Sequence, residues 1–256
     1  MIFMRILPGV LKELMKHVPT VLFQTVEWSE IMSEVPTLSR RMLQKDGYAE
    51  LAEKQKEILK DLPLCVRHEP VNGPTFKAGD GKTILTLYFR QLFSPHGVFL
   101  DLRSQHFCHE TDVLLWNPGP LWTKFSPRFR EGLIEVYDGF YEEKDELYKS
   151  GLVKIGLLNL DWPMADQDRI MDIFRRHFGA AQTADVQFKV EDLKNGMVSM
   201  SKFLLEKKAS IRKDFLYLGI YLVTMYGTLE ETGEWLPVKE IYFSSRIQSP
   251  LTSVKS

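Results

Sequence analysis

A mostly helical α+β fold is what this sequence predicts, and three observations carry that expectation. Apolar residues recur at helical spacing through much of the chain, as in Ile84, Leu85, Tyr88 and Leu92, or Phe129, Leu133, Val136, Tyr137 and Phe140. Residues 98–100 and 112–116 are short bulky runs that suit two paired strands, and a polar loop separates them. No internal repeat, low-complexity tract or clear linker interrupts the 256 residues, enough for one large domain or two small ones with a self-sufficient core.

Composition narrows the function classes. With 44% hydrophobic and 26% charged residues the chain is globular rather than disordered. Lys+Arg 33 against Asp+Glu 34 leaves a net charge of -1, so no global field recruits nucleic acid, and no nucleic-acid partner is expected. Cys65 and Cys108 are too few for a disulfide framework, which favours a reducing, cytoplasmic setting.

Taken in order, residues 1–18 lack the apolar stretch and small-residue cleavage site of a signal peptide. Arg5, Lys12 and Lys16 opposite Leu7, Val10, Leu11 and Leu14 instead make a short amphipathic helix, which packs on the body or touches a membrane surface. Residues 20–62 read as helical pieces broken near Pro36 and at Asp46-Gly47, with Leu51, Ile58, Leu59 and Leu62 on one side. Residues 63–73 suit an edge strand leading into a hinge. Gly79-Asp80-Gly81-Lys82 has the wrong spacing for a Walker loop. Thr83 is the expected N-cap of a helix over 84–93, stopped by Ser94, Pro95 and Gly97.

Beyond the strands, Asn117-Pro118-Gly119-Pro120 must turn, and Ser126-Pro127 is a cap followed by proline at the first helical position. A short charged helix is expected over 142–151. A helix over 166–178 turns Ile170, Ile173, Phe174 and Phe178 inward and is closed by Gly179, and another covers 191–210 despite Gly196. Lys202, Lys207, Lys208, Arg212 and Lys213 precede an apolar run at 215–226, too short to cross a bilayer of about 30 Å, so no transmembrane segment is expected. That run is read as a buried core helix, with anionic lipid as the competing partner of the basic cluster. The tail from 244 to 256 is polar and read as flexible.

The stretch RQLFSPHGVFLDLRSQHF resembles the UbiB/AarF-type atypical kinases, in which R-Q-[IL]-F leads into the catalytic loop G-F-F-H-A-D-P-H-P-G-N. LLWNPG followed by FSPRFREGL is similar to that family's L-L-D-F-G followed by L-S-P-E-L-R. IRKDFLYLGIYLVTMYGTLEETGEWLP resembles its late apolar segment. The resemblance spans residues 66–241, and it implies a protein-kinase-like large lobe over 63–243 with a reduced or absent small lobe. Residues 1–62 then form a helical N-terminal segment. No glycine-rich phosphate loop and no Val-Ala-Ile-Lys strand occurs there.

Gapless alignment from Gly97 puts Leu100, Leu102 and Ser104 where the family has His, Asp and His, and His106 and Phe107 where it has Gly and Asn. Shifting by one places Asp101 on the catalytic aspartate and His106 on the magnesium-binding asparagine. The second metal position becomes Trp116 or, with an insertion, Asn117. Phosphoryl transfer needs a carboxylate to orient the nucleophile and oxygen ligands for magnesium, and an amide or imidazole holds that ion poorly. The expectation is therefore a pseudokinase rather than a working enzyme, with the family implying a regulatory or scaffolding role in isoprenoid-quinone or lipid metabolism near a membrane. Two alternatives stay open: a weak Mg-ATP-dependent ATPase with Asp101 as the catalytic candidate and His106 and Asn117 as cofactor ligands, or a helical protein-interaction module with no ligand.

A separate constellation lies in the same loop. His106, Cys108 and His109, with Glu110 and Asp112 close by, are zinc or iron donors gathered within seven residues. If the segment is extended, His106 and Cys108 face one way and His109 the other, so one local site would use only part of the set. Cys108 with either histidine is also the minimal pair for a thiolate nucleophile, without a readable orienting group.

Overall fold

The computed structural model describes residues 9–43, 51, 53, 55–56, 59–67, 73–179 and 181–247. The fold is α+β and mostly helical, built around α8 (Lys213–Thr232). From Asp214 to Met225 every residue of α8 is buried, because its apolar side chains extend right round the helix. Against it pack α1 (Gly9–Met15), α2 (Trp28–Leu43), α3 (Asp80–Phe93) and α7 (Val190–Glu206). The 215–226 run is thus core. Among the described residues no helix is long and apolar enough to cross a membrane.

At the N-terminus, α1 buries Leu11, Leu14 and Met15 on the body; the earlier part of the expected amphipathic helix lies outside the described residues. Pro36 does not break the chain as expected but sits inside α2. It removes one backbone donor there. The buried stripe of Ile31, Val35 and Leu38, together with the Glu34–Lys213 ion pair, holds the helix together across it. The Asp46-Gly47 break lies outside the described residues, as does Ile58. Leu51 and Leu59 are buried as expected, whereas Leu62 is only partly buried.

The strands pair differently from expectation. β1 (Leu64–Val66) runs parallel to β4 (Val113–Trp116), whose other edge takes β3 (Phe107–Glu110) antiparallel, giving the order β1-β4-β3. β2 (Val98–Phe99) pairs instead with β5 (Trp122–Thr123). The reason is the tight β3–β4 hairpin, turned at Thr111 with φ 52°, which uses half of the supposed loop as strand. After Trp116 the chain turns through Asn117 to Pro120 and returns alongside β2. Cys65 and Cys108 both stand opposite Leu115 from different sides, two strand spacings or about 9.6 Å apart, too far for a disulfide.

Helix α3 starts earlier than the Thr83 cap predicted. Gly79, at φ 96°, makes the turn, and the Glu234 carboxylate accepts hydrogen bonds from the Gly79 and Gly81 amides at 3.1 and 2.9 Å. Thr83 instead lies inside the helix, its hydroxyl on the Gly79 carbonyl. Helix α4 (Pro127–Tyr141) begins where predicted, Ser126 Oγ accepting from the Phe129 amide. It meets α5 (Asp145–Lys154) so closely that a Cβ on Gly139 would lie 2.3 Å from the Tyr148 nitrogen, and one on Gly151 would lie 2.6 Å from the Gly132 carbonyl oxygen. Helix α6 (Met164–Phe178) ends at Gly179. β6 (Val186–Gln187) pairs with β7 (Trp235–Leu236), and α9 (Val238–Ile247) follows. Residues 244–247, expected in a flexible tail, are helical, and Ser245 is fully buried because Tyr242, also buried, anchors α9 to α4 through Asp138.

Candidate functional site

The loop between β2 and β3 is hung from the buried helix α8. Thr224 Oγ1 lies 3.0 Å from the Leu100 carbonyl and accepts from the Leu102 amide, while Thr228 Oγ1 donates to the Leu102 carbonyl at 2.5 Å. From the other side, Gln91 of α3 accepts from the Phe99 amide at 2.8 Å. Leu100 and Leu102, fully buried, fix the backbone on either side of Asp101.

Asp101 is itself 1% exposed, and both its oxygens are taken. Arg103 donates from Nε to Oδ1 at 2.8 Å and from Nη2 to Oδ2 at 2.6 Å. The Arg103 amide reaches Oδ1 at 3.2 Å, and His106 Nε2 lies 2.9 Å from Oδ2. Burial alone would push the Asp101 carboxyl up; the hydrogen bonds from Arg103 and His106 outweigh it and hold the group well below the usual carboxylate range. The same pairing raises the pKa of Arg103.

Asn117 joins this group through the main chain, its amide donating to the His106 carbonyl at 2.9 Å. Gly119 closes the turn beneath, where an added Cβ would stand 3.5 Å from the His106 ring and 3.8 Å from Asp101. The fold therefore brings Asp101, His106 and Asn117 into one turn-and-loop cluster, and adds Arg103, which sequence reasoning missed. The available signal was an arginine two residues after an aspartate between two buried leucines.

The metal alternative is not assembled. His106 faces Asp101, whereas His109 Nδ1 lies 3.1 and 3.2 Å from the two oxygens of Asp80, a buried pair also missed. Cys108 Sγ is 3.5 Å from the Thr75 hydroxyl, with neither imidazole as its partner, so the thiolate–histidine pairing is absent as well. Among the described residues no three His, Cys, Asp or Glu side chains are placed to hold a metal ion. The strand alternation of β3 separates Cys108 from His109.

Two anion or lipid signals are likewise reduced. The helix start at Gly79-Asp80-Gly81 already receives the Glu234 carboxylate. In the basic cluster, Lys207 pairs with Asp166 at 2.8 Å and Lys213 pairs with Glu34. Compared with known proteins, the chain matches no family model and no curated protein.

Proposed function

We propose that the chain is a catalytically degenerate UbiB/AarF-like protein, a pseudokinase whose kinase-like large lobe serves a regulatory or scaffolding role linked to isoprenoid-quinone or lipid metabolism. The order of elements supports this reading: a helix, a short strand, a loop holding Asp101, a hairpin, an Asn-Pro-Gly turn and a strand returning to the first. The contact between Asp101 and His106 favours the register in which these two stand for the catalytic aspartate and the metal-binding asparagine, with Asn117 at the second metal position.

One observation carries the loss of activity: both oxygens of Asp101 are occupied by Arg103 and His106. A phosphotransferase needs that carboxylate free to accept the nucleophile's proton. Here it is tied to a guanidinium and made less basic. An imidazole and an amide in the ligand positions offer magnesium poorer donors than carboxylates.

The experiment is ATP turnover by the purified chain with Mg²⁺ or Mn²⁺, alongside thermal melting with millimolar Mg-ATP. Phosphate release at the level of the protein-free blank is expected. Turnover that is lost in Asp101→Asn and Asn117→Ala would refute the pseudokinase reading and establish the weak ATPase. An absent thermal shift would remove nucleotide as a regulator and leave the protein-interaction module.

A further inference from the structure

The basic cluster at the end of α7 plays no part in the Asp101 loop, and its members divide into two kinds. Lys207 is paired with Asp166 and Glu206, and Lys213 with Glu34. Lys208 and Arg212 are exposed and make no ion pair among the described residues. Midway between them stands Ser210, also exposed, in the turn that joins α7 to α8.

Ser210 lies on the seam between the N-terminal helices and the body. Its hydroxyl donates to Glu27 Oε1 at 3.1 Å. The next residue, Ile211, forms a parallel bridge with Val26: its amide donates to the Thr25 carbonyl at 2.7 Å, and its carbonyl accepts from the Glu27 amide at 3.0 Å. Farther along, Glu30 accepts from the Lys213 amide, and Glu34 takes the Lys213 ammonium and the Tyr217 hydroxyl. The N-terminal side of the seam is thus a row of carboxylates, and at Ser210 the contact depends on the proton that the hydroxyl supplies.

The sequence around that hydroxyl is Lys207-Lys208-Ala209-Ser210-Ile211. Two cations three and two residues ahead of a serine, with a bulky apolar residue directly after it, form the charge pattern that basic-directed protein kinases select through acidic subsites and an apolar pocket.

We propose that Ser210 is a phosphorylation site for a basic-directed serine/threonine kinase, and that its phosphate releases the latch between the N-terminal helices and α8. The γ-phosphoryl group of ATP passes to Ser210 Oγ: the new P–O bond forms as the bond to ADP breaks, and the hydroxyl proton leaves to solvent. A neutral donor becomes a group of about -1.5 to -2 charge with acceptor oxygens. It repels Glu27 and turns to Lys208 and Arg212, whose free cationic groups offer charge-assisted hydrogen bonds. Because Ile211 is 1% exposed, the kinase takes the segment as the bridge opens locally, and the phosphate then opposes reclosure. The site is separate from the Asp101 loop and stands whether or not that loop is catalytically dead.

Incubating the full chain with the catalytic subunit of cyclic-AMP-dependent protein kinase and Mg-ATP tests this, with the phosphate located by peptide mass spectrometry and the seam followed by amide hydrogen exchange. Phosphate at Ser210 is expected, absent in Ser210→Ala and reduced when Lys207 and Lys208 are both changed to alanine. Exchange at the Glu27 and Ile211 amides should quicken roughly tenfold on phosphorylation, from one lost hydrogen bond plus an exposed like-charge pair. Glu27→Gln keeps an acceptor but removes the charge, so there the acceleration should fall to about threefold. No phosphate at Ser210 overturns the site. Phosphate with unchanged exchange at those two amides overturns the latch, and an undiminished acceleration in Glu27→Gln overturns its electrostatic cause.

Discussion

Replacing Arg103 by methionine keeps most of its aliphatic length and removes two charge-assisted hydrogen bonds from a carboxylate whose side chain is 2% exposed. Two such bonds are worth roughly 1.5–3 kcal/mol each. The arginine side chain is 25% exposed, however, so solvent screens part of the interaction, and His106 and the residue-103 amide remain as partners. A loss of about 2–3 kcal/mol is therefore expected, below the ~3–5 kcal/mol for stripping a fully buried charge of its partner. Asp101→Asn costs less, about 1–2 kcal/mol, because the freed guanidinium can turn to water. In the double variant the two losses do not add, and a coupling of about 1–2 kcal/mol is expected. Urea unfolding followed by the fluorescence of Trp116 and Trp122, on strands flanking the loop, measures all three. The sign with pH follows from the depressed Asp101 pKa: its contribution is present above the unfolded value near ~3.9 and is lost as pH falls through the folded value. Arg103→Met raises the folded value and so reduces that contribution. A loss under about 0.5 kcal/mol, the scale of a surface pair, would refute the reasoning.

Gly139→Ala and Gly196→Ala should act with opposite signs. The first drives a methyl against Tyr148 backbone at 2.3 Å and should cost about 3 kcal/mol, whereas the second meets His177 at 3.6 Å and should gain about 0.5–1 kcal/mol of helix propensity; chemical denaturation of both checks this. His177, lowered from 6.5 to about 4 by burial, gives stability that is complete above pH 6.5 and declines as pH falls toward 4. The loss amounts to about 2–3 kcal/mol, and a pH series of melts in which His177→Phe shows no such decline is the expected result. Oxidation of the folded chain should leave two titratable thiols after denaturation, because strand spacing keeps Cys65 and Cys108 apart.

Long periodic elements were legible in the sequence. The helix beginning at Ser126-Pro127 and the glycine stop at Gly179 appear where local chemistry demanded them. Strand partners were not legible, since β2 and β5 have two residues each and carry no periodicity from which a neighbour can be inferred. Pro36 misled because its local penalty is set against a buried face formed with distant α8. The start of α3 was hidden for a similar reason: the group that receives the Gly79 and Gly81 amides, Glu234, is some 150 residues away in sequence. At the loop, sequence alone singled out Asp101, His106 and Asn117, but the occupant of the carboxylate, Arg103, depends on a backbone bend held by groups distant in sequence, Thr224 and Thr228 among them.

Those two threonine hydroxyls grip main-chain atoms alone, so the path of the loop owes nothing to the reactivity of what it displays. Substitution at positions 103–106 therefore leaves both anchors in place, so the outline of the loop, the property a binding partner would recognise, persists even where the stability supplied by the Arg103 and His106 contacts to Asp101 is lost.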